Sequence, residues 1–335
     1  MLVLSFRDMS VPRCGAVTSA AMYHLDPIDA AMAWDPAPPL TLASWAEVGH
    51  VLAGKHVCFL VHGFNVNRDR GYTGLGAMGQ EMLPGGALAG LAAPAGPLNF
   101  YVRGVDVIVP VLWAGDWYLP INYPLLLPDV RKTGKYFSDL ILSAATRMAR
   151  VSFVTHSMGA RVMFETVQQT VAAANKAGFT RPIFDTAMVM AAATSDEIFD
   201  DPDYADAVDA VRRFVVVTSR ADTVLSLAFP PGNAVEQALW PNDPGSDAAL
   251  GRYGPRLKPG SKALGKTVWY EVPPPENADE PGQNHGDYVP SPWDLDAPYP
   301  NGWSDKRVGI GKLAQAILDR RTPAWPDKPV QALPG

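Results

Sequence analysis

Short apolar runs alternate with amphipathic segments through the middle of this chain. The apolar runs are rich in β-branched and aromatic residues, as buried strands are. They cover residues 55–61, 105–113, 151–156, 182–193, 213–218 and 267–272. Apolar residues recur at helical spacing over 135–149 and again after Gly159. Strands that alternate with helices predict an α/β domain, with a mostly parallel, doubly wound sheet and helices on both faces.

The two ends of the chain are less regular than its middle. We predict strands over 2–6 and 16–23 and a helix over 44–52, so that 1–54 form edge strands and a covering helix. Residues 226–265 are rich in Gly, Pro and Asn and predict a loop-rich, cap-like insertion. A closing helix is expected over 305–320 and an extended tail over 322–335. All 335 residues are expected to form a single domain.

Composition excludes several classes of function. The 28 basic and 34 acidic residues give a net charge of −6 with no basic block, which argues against nucleic acid as a partner. Two cysteines do not form a disulfide framework, and no apolar run is long enough to span a membrane. Without a visible secretory signal, we expect a cytoplasmic protein. No cluster of residues has metal-ligand spacing, and no strand ends in a dinucleotide-binding glycine pattern.

One stretch combines a strand, a tight turn and a helix around a serine. It reads Thr155-His156-Ser157-Met158-Gly159 and resembles the Gly-x-Ser-x-Gly elbow of the α/β-hydrolase superfamily. Thr155 departs from the first glycine of that pattern. Upstream, the sequence "VHGFNVNRDRG" after the strand 55–61 looks like a little-characterised branch of the same superfamily whose members read "VHGFN". The resemblance covers residues 55–290, which would then form the catalytic core, and implies the α/β-hydrolase fold.

The resemblance implies a catalytic triad in the chain order serine, acid, histidine. Ser157 would be the nucleophile. Of the six histidines only His285 follows it, after the last predicted strand, where the family keeps its base. Two acids remain open: Asp222 after the strand 213–218, which family order favours, and Asp196 after the preceding strand. His156 adjoins the serine at a position whose side chain is expected to point away from that of the nucleophile.

The resemblance also implies two backbone amides that stabilise an oxyanion, those of Phe64 and Met158. Asn65 is expected to assist through its side chain. Around them we predict a substrate pocket, whose walls are loops 66–104 and 226–265. The predicted pocket residues are His62, Asn65, Trp113, Trp117, Tyr118 and Tyr288. The alternative for the tryptophan and tyrosine cluster is packing beneath a lid.

These residues together predict a serine hydrolase that cleaves a small-molecule carboxylic ester through an acyl-enzyme on Ser157. Such chemistry needs neither a metal nor an organic cofactor. Two alternatives stay open at this point. The same triad would serve an acyltransferase, and a hydrolase-like protein without turnover would act as a binding protein.

Overall fold

The computed structural model describes residues 2–11, 13–25, 40–69, 71, 74–76, 78, 104–116, 125–239, 248–272, 285–286, 288, 313–321, 323 and 330. Its centre is a nine-stranded sheet with the order β3-β2-β1-β5-β4-β6-β7-β8-β9. The strands are β1 (Leu2–Arg7), β2 (Val17–Leu25), β3 (Leu40–Leu42), β4 (His56–Val61), β5 (Val107–Leu112), β6 (Arg150–His156), β7 (Ile183–Met190), β8 (Arg213–Thr218) and β9 (Thr267–Glu271).

Most of the sheet is parallel, as the alternation of strands and helices predicts. Strand β1 pairs in parallel with β5, and the pairs from β5 through β4, β6, β7 and β8 to β9 are parallel as well. Only the β1–β2 and β2–β3 pairs at one side are antiparallel. The central strands are buried almost throughout, which is why they read as continuous apolar runs. The predicted α/β class with a mostly parallel sheet is therefore confirmed.

Helical residues occur at 68–69, 71, 74–76, 78 and 313–318, and seven α-helices have both ends within the described residues. They are α1 (Trp45–Leu52), α2 (Leu127–Leu142), α3 (Gly159–Ala177), α4 (Ala205–Ala210), α5 (Thr223–Leu227), α6 (Phe229–Leu239) and α7 (Leu250–Tyr253). Helix α1 begins with a capping box in which Ser44 and Glu47 satisfy each other's backbone amides. None of these helices is long and apolar enough to cross a membrane.

The helix predicted over 135–149 is displaced in the structure. Helix α2 begins at Leu127 and ends at Leu142. Pro128 in the first turn favours the earlier start, because a missing N–H is no loss there. Ser143 adopts an extended conformation, and the Thr146 hydroxyl donates to the Leu140 carbonyl across the helix end. Met148, which continued the apolar stripe in the sequence, is buried beyond the helix.

The segment 226–265 is more regular than its composition predicts. It contains helices α6 and α7 and the end of α5, so the expected scarcity of regular elements is wrong for 226–239 and 250–253. Residues 254–265 contain no helix or strand, and the role of the segment as a cap stays a prediction. Pro230 and Pro231 lie in the first turn of α6, where proline is tolerated. Residues 240–247 lie outside the described part.

Two other predicted segments are described only in part. Within the helix predicted over 305–320, residues 313–318 are helical and 305–312 lie outside the described residues. Of the tail over 322–335, residues 323 and 330 are described, and Val330 forms an isolated bridge with Trp269 of β9.

Candidate active site

Ser157 lies on a strained turn between the central strand β6 and helix α3. Its φ angle is +54°, a region that a serine rarely adopts and that costs about 1–3 kcal/mol. The Ser157 amide donates to the carbonyl of Met190 on β7, which anchors the turn to the sheet. A Cβ atom on Gly159 would lie 2.6 Å from the carbonyl oxygens of Val61 and His62, so only glycine fits there. The turn therefore has the geometry of a nucleophile elbow.

Thr155, the departure from the glycine pattern, fits because it belongs to the strand rather than to the turn. It is fully buried within β6 and pairs with Val61 and Val189. Its hydroxyl donates to the Met188 carbonyl on the neighbouring strand. The threonine side chain thus adds a link between β6 and β7 without occupying the turn.

The structure brings Ser157, His285 and Asp222 into one hydrogen-bonded chain. His285 Nε2 lies 2.7 Å from Ser157 Oγ, and His285 Nδ1 lies 2.8 Å from Asp222 Oδ2. A carboxylate only accepts hydrogen bonds, so Nδ1 carries the proton and Nε2 is left to accept from the serine hydroxyl. Ser157 and Asp222 are buried, whereas the His285 side chain keeps 15% of its surface exposed. The imidazole is therefore the member of the chain that solvent reaches most readily.

The Asp222 carboxylate, on the loop after β8, makes two hydrogen bonds. One oxygen, Oδ1, accepts from the Leu225 amide and caps helix α5, while the other faces His285. The carboxylate is fully buried, so these two bonds fix its orientation. Asp196, the other candidate acid, forms an ion pair with Arg256 and is not the carboxylate bonded to His285. The geometry thus separates the two acids that the sequence left open.

The turn after β4 brings Phe64 to the edge of the elbow. A Cβ atom on Gly63 would lie 2.6 Å from Ser157 Cβ, which shows how closely this turn approaches the serine. The backbone amides of Phe64 and Met158 make no hydrogen bond within the described part of the chain. Two amides free to donate beside a serine hydroxyl are what an oxyanion site requires.

The next residue, Asn65, is held by its backbone rather than by a ligand. It adopts φ +59°, and its amide donates to the Gly115 carbonyl at 2.7 Å. Gly115 is followed by Asp116, whose buried carboxylate pairs with the Arg7 guanidinium at 2.9 Å. Burial raises the Asp116 pKa, and the adjacent guanidinium opposes that shift. The end of β1 is thereby connected to the turn that carries Phe64.

His62 and Trp113 do not line the cavity that contains Ser157, which corrects their prediction as pocket residues. Both are buried beneath the turn, with their rings stacked at 5.7 Å. The Trp113 amide donates to His62 Nε2, and the indole N–H donates to the His62 carbonyl. Burial lowers the His62 pKa to about 3, so the ring stays neutral and can accept. This pair packs beneath the turn. The alternative given for the aromatic cluster was also a packing role, beneath a lid.

His156 is the residue near the base that sequence reasoning missed. Its Nε2 donates to the backbone carbonyl of His285 at 2.6 Å, and the two rings lie 4.9 Å apart. Tyr288, predicted as a pocket residue, is instead buried with its ring 5.9 Å from that of His156. A histidine that adjoins the nucleophile and a tyrosine three residues after the base were visible signals. Their contact depends on how the chain returns to β6.

A cavity of about 250 Å³ opens beside the serine hydroxyl. Its polar lining comes from Asn65, Ser157 and His285, and Phe64 lies beside them. The remaining described walls are apolar: Met158, Ala193, Val224, Leu225, Ala228 and Phe229. Four of these follow Asp222 closely in the chain, and the apolar sequence "TVLSLAF" was the signal that could have identified them. Trp117 and Tyr118 lie outside the described residues, so their predicted role in the pocket stays a prediction.

No group of three or more His, Cys, Asp or Glu side chains that could hold a metal ion occurs in the described part of the chain.

No protein-family model matches the sequence, and a search of curated proteins finds no significant match.

Proposed function

We propose that the protein is a serine hydrolase that cleaves carboxylic esters through an acyl-enzyme on Ser157. The observation that carries this proposal is the hydrogen-bonded chain from Ser157 Oγ through His285 to Asp222, with links of 2.7 and 2.8 Å. A serine hydroxyl becomes a nucleophile when a base removes its proton and a third group orients that base. The three side chains have the types and the order that this chemistry requires.

The proposed reaction uses these atoms in the following way. Ser157 Oγ bonds to the ester carbonyl carbon as its proton passes to His285 Nε2. The carbonyl oxygen gains a negative charge, which the amides of Phe64 and Met158 would stabilise. His285 then returns the proton to the leaving alcohol, and the ester C–O bond breaks. Water attacks the acyl-enzyme with His285 again as base, which releases the acid and restores Ser157.

The arrangement of strands supports an α/β-hydrolase fold. Ser157 follows β6, Asp222 follows β8 and His285 comes after β9. These parallel strands lie on one side of the sheet in the order β6-β7-β8-β9. The carboxyl ends of parallel strands meet at one edge of a sheet, where ligands bind in open α/β folds. The turn of Phe64 follows β4, the other neighbour of β6.

The cavity supports an uncharged acyl group as the substrate portion beside Ser157. Its described walls contain no Asp, Glu, Lys or Arg side chain, and most of them are apolar. A charged acyl group placed there would lose its hydration without gaining a partner. A short or medium-length aliphatic acyl chain instead gains hydrophobic contact, about 0.8 kcal/mol for each buried CH₂.

The proposal is tested by Ser157→Ala, assayed with p-nitrophenyl butyrate and with a fluorophosphonate label. We expect loss of labelling and a fall in kcat of about 10⁶-fold. Ser226→Ala on α5 is the matched control. Ser226 follows the cavity residue Leu225 in the chain, whereas the hydroxyl bonded to His285 is that of Ser157. Wild-type protein that neither hydrolyses esters nor takes the label would refute the proposal. Added alcohols or amines in the same assay distinguish hydrolysis from acyl transfer by their products.

A further inference from the structure

His156 makes a contact that the triad mechanism does not use. It is the last residue of β6, and its ring lies against the ring of His285 at 4.9 Å. Its Nε2 lies 2.6 Å from the His285 backbone oxygen. A carbonyl oxygen only accepts, so His156 Nε2 carries the proton and its tautomer is fixed. The base is thus bonded at three points: Nε2, Nδ1 and its own backbone carbonyl.

The His156 ring remains neutral while it makes this bond. Burial above all, and then the neighbouring His285, lower its pKa to about 3, against the effect of the hydrogen bond. A neutral donor holds the carbonyl at every pH where the protein is expected to work. It also places no positive charge beside His285 when that imidazole accepts the serine proton.

The turn that carries His285 has no regular secondary structure among its described residues. His285, Gly286 and Tyr288 belong to no helix or strand, whereas His156 ends a strand paired on both sides. The His156 ring lies near Tyr288 as well, at 5.9 Å. On the side of the Phe64 turn, a Cβ atom on Gly63 would lie 2.9 Å from His156 Nδ1. One ring therefore contacts both turns that meet at Ser157.

We infer that His156 is a positioning residue for His285: its Nε2–H holds the backbone of the base so that both imidazole nitrogens reach their partners. The inference rests on the proposed function for its effect on turnover, but the contact itself is independent of the reaction. Small displacements of a catalytic group cost much in rate, so loss of this bond lowers kcat more than it raises KM.

Two substitutions separate positioning from simple packing. His156→Phe keeps a ring in the site but removes the donor, and we expect kcat to fall about 10- to 100-fold with KM within about twofold. His156→Gln places an amide N–H within reach of the same carbonyl, and we expect it to recover most of the lost kcat. A packing role predicts the opposite order, with Phe tolerated better than Gln, and that order would overturn the inference.

Hydrogen exchange supplies a readout that does not depend on turnover. In peptides containing residues 285–288, we expect faster deuterium uptake in His156→Phe than in wild type, and near-normal uptake in His156→Gln. Equal uptake in wild type and His156→Phe would overturn the inference even if Ser157 is catalytic. If wild type is inert to esters and to fluorophosphonate, the proposed function fails, and the exchange comparison alone decides whether His156 holds the turn.

Discussion

Two turns meet at Ser157, and they are held in different ways. The Phe64 turn is fixed by contacts between the ends of β4, β5 and β1: the His62–Trp113 pair, the Asn65–Gly115 bond and the ion pair behind them. The His285 turn is fixed, among its described residues, by side-chain bonds to His156, Ser157 and Asp222. Those bonds span 129, 128 and 63 positions of the chain.

The difference indicates where substitutions act. Contacts on the Phe64 side are packed into the sheet, so their loss is expected to appear first as lost stability. Contacts on the His285 side orient one imidazole, so their loss is expected to appear first as lost turnover. Four substitutions or conditions test this division.

The largest effect is expected on the His285 side, from Asp222→Asn. The amide oxygen can still cap α5, so the protein should fold, but the amide N–H favours the wrong His285 tautomer. We expect kcat for p-nitrophenyl butyrate to fall about 10⁴-fold with little change in Tm. Asp196→Asn is the matched control and should keep near-normal kcat, because that acid pairs with Arg256. A larger loss of kcat in Asp196→Asn than in Asp222→Asn would indicate that Asp196 is the acid of the triad.

On the Phe64 side, Arg7→Met leaves the Asp116 carboxylate buried without its guanidinium. We expect the free energy of unfolding, measured in urea, to fall by about 3–5 kcal/mol, with kcat of the folded protein changed much less. Lys135→Met, which breaks the exposed pair with Asp139, is the control and should cost at most about 0.5 kcal/mol. The double variant Arg7→Met/Asp116→Leu should recover stability. A selective loss of kcat in Arg7→Met would contradict the division.

A direct comparison of the two turns comes from one methyl group added to each. Unlike the contacts that support the Phe64 turn from the sheet, Gly63 faces Ser157 itself. Gly63→Ala places Cβ against Ser157 Cβ and displaces the amide of Phe64, so we expect kcat to fall about 100-fold. Gly286→Ala, beside the base, is the control because no atom lies within 4 Å of the added Cβ. Equal losses in both variants would show that the close approach at Gly63 is not what matters.

The smallest effect per residue is expected from pH. Burial lowers the pKa of both His62 and His156 from 6.5 to about 3, so the unfolded chain binds more protons than the folded one between those values. Stability is then complete above pH 6.5 and decreases as pH falls toward 3, by about 2 kcal/mol per histidine at pH 5. Urea unfolding at pH 7 and pH 5 measures this change. His156→Gln should reduce the difference by about half, and an unchanged difference would contradict it.

Much of the fold could be predicted because a buried strand is visible in the sequence as a short apolar run. The runs that became β4, β6 and β8 were located within one residue at each end, since a strand buried on both faces lacks the alternating exposed polar positions of a half-buried strand. Helix α2 was displaced because the apolar stripe continues to Met148, which is buried for a different reason. The helices after Asp222 were missed because prolines at a helix start read as loop residues.

The candidate site also has parts that the sequence could predict and parts that it could not. The resemblance and the chain order selected Ser157 and His285 and favoured Asp222 over Asp196. The structure places Ser157, His285 and Asp222 together, and their catalytic roles stay predictions. The sequence could not indicate that His156 contacts the base or that Ala193 and Phe229 line the cavity. Those facts depend on which way side chains face once separate strands and helices pack. His62 and Trp113 show the opposite error. They follow the ends of β4 and β5 and were predicted to contact the ligand, but both are buried beneath the Phe64 turn.

Under the proposed function, the double use of the Asp222 carboxylate would limit how substrate specificity can be redesigned. The same group that orients His285 also caps the helix whose first turn supplies Leu225 to the cavity wall. Changes that shift that turn will disturb proton transfer along with substrate preference. Ala193 and Ala228 line the same cavity without bonding to the carboxylate. Engineering for longer or shorter acyl chains should therefore begin at those two alanines.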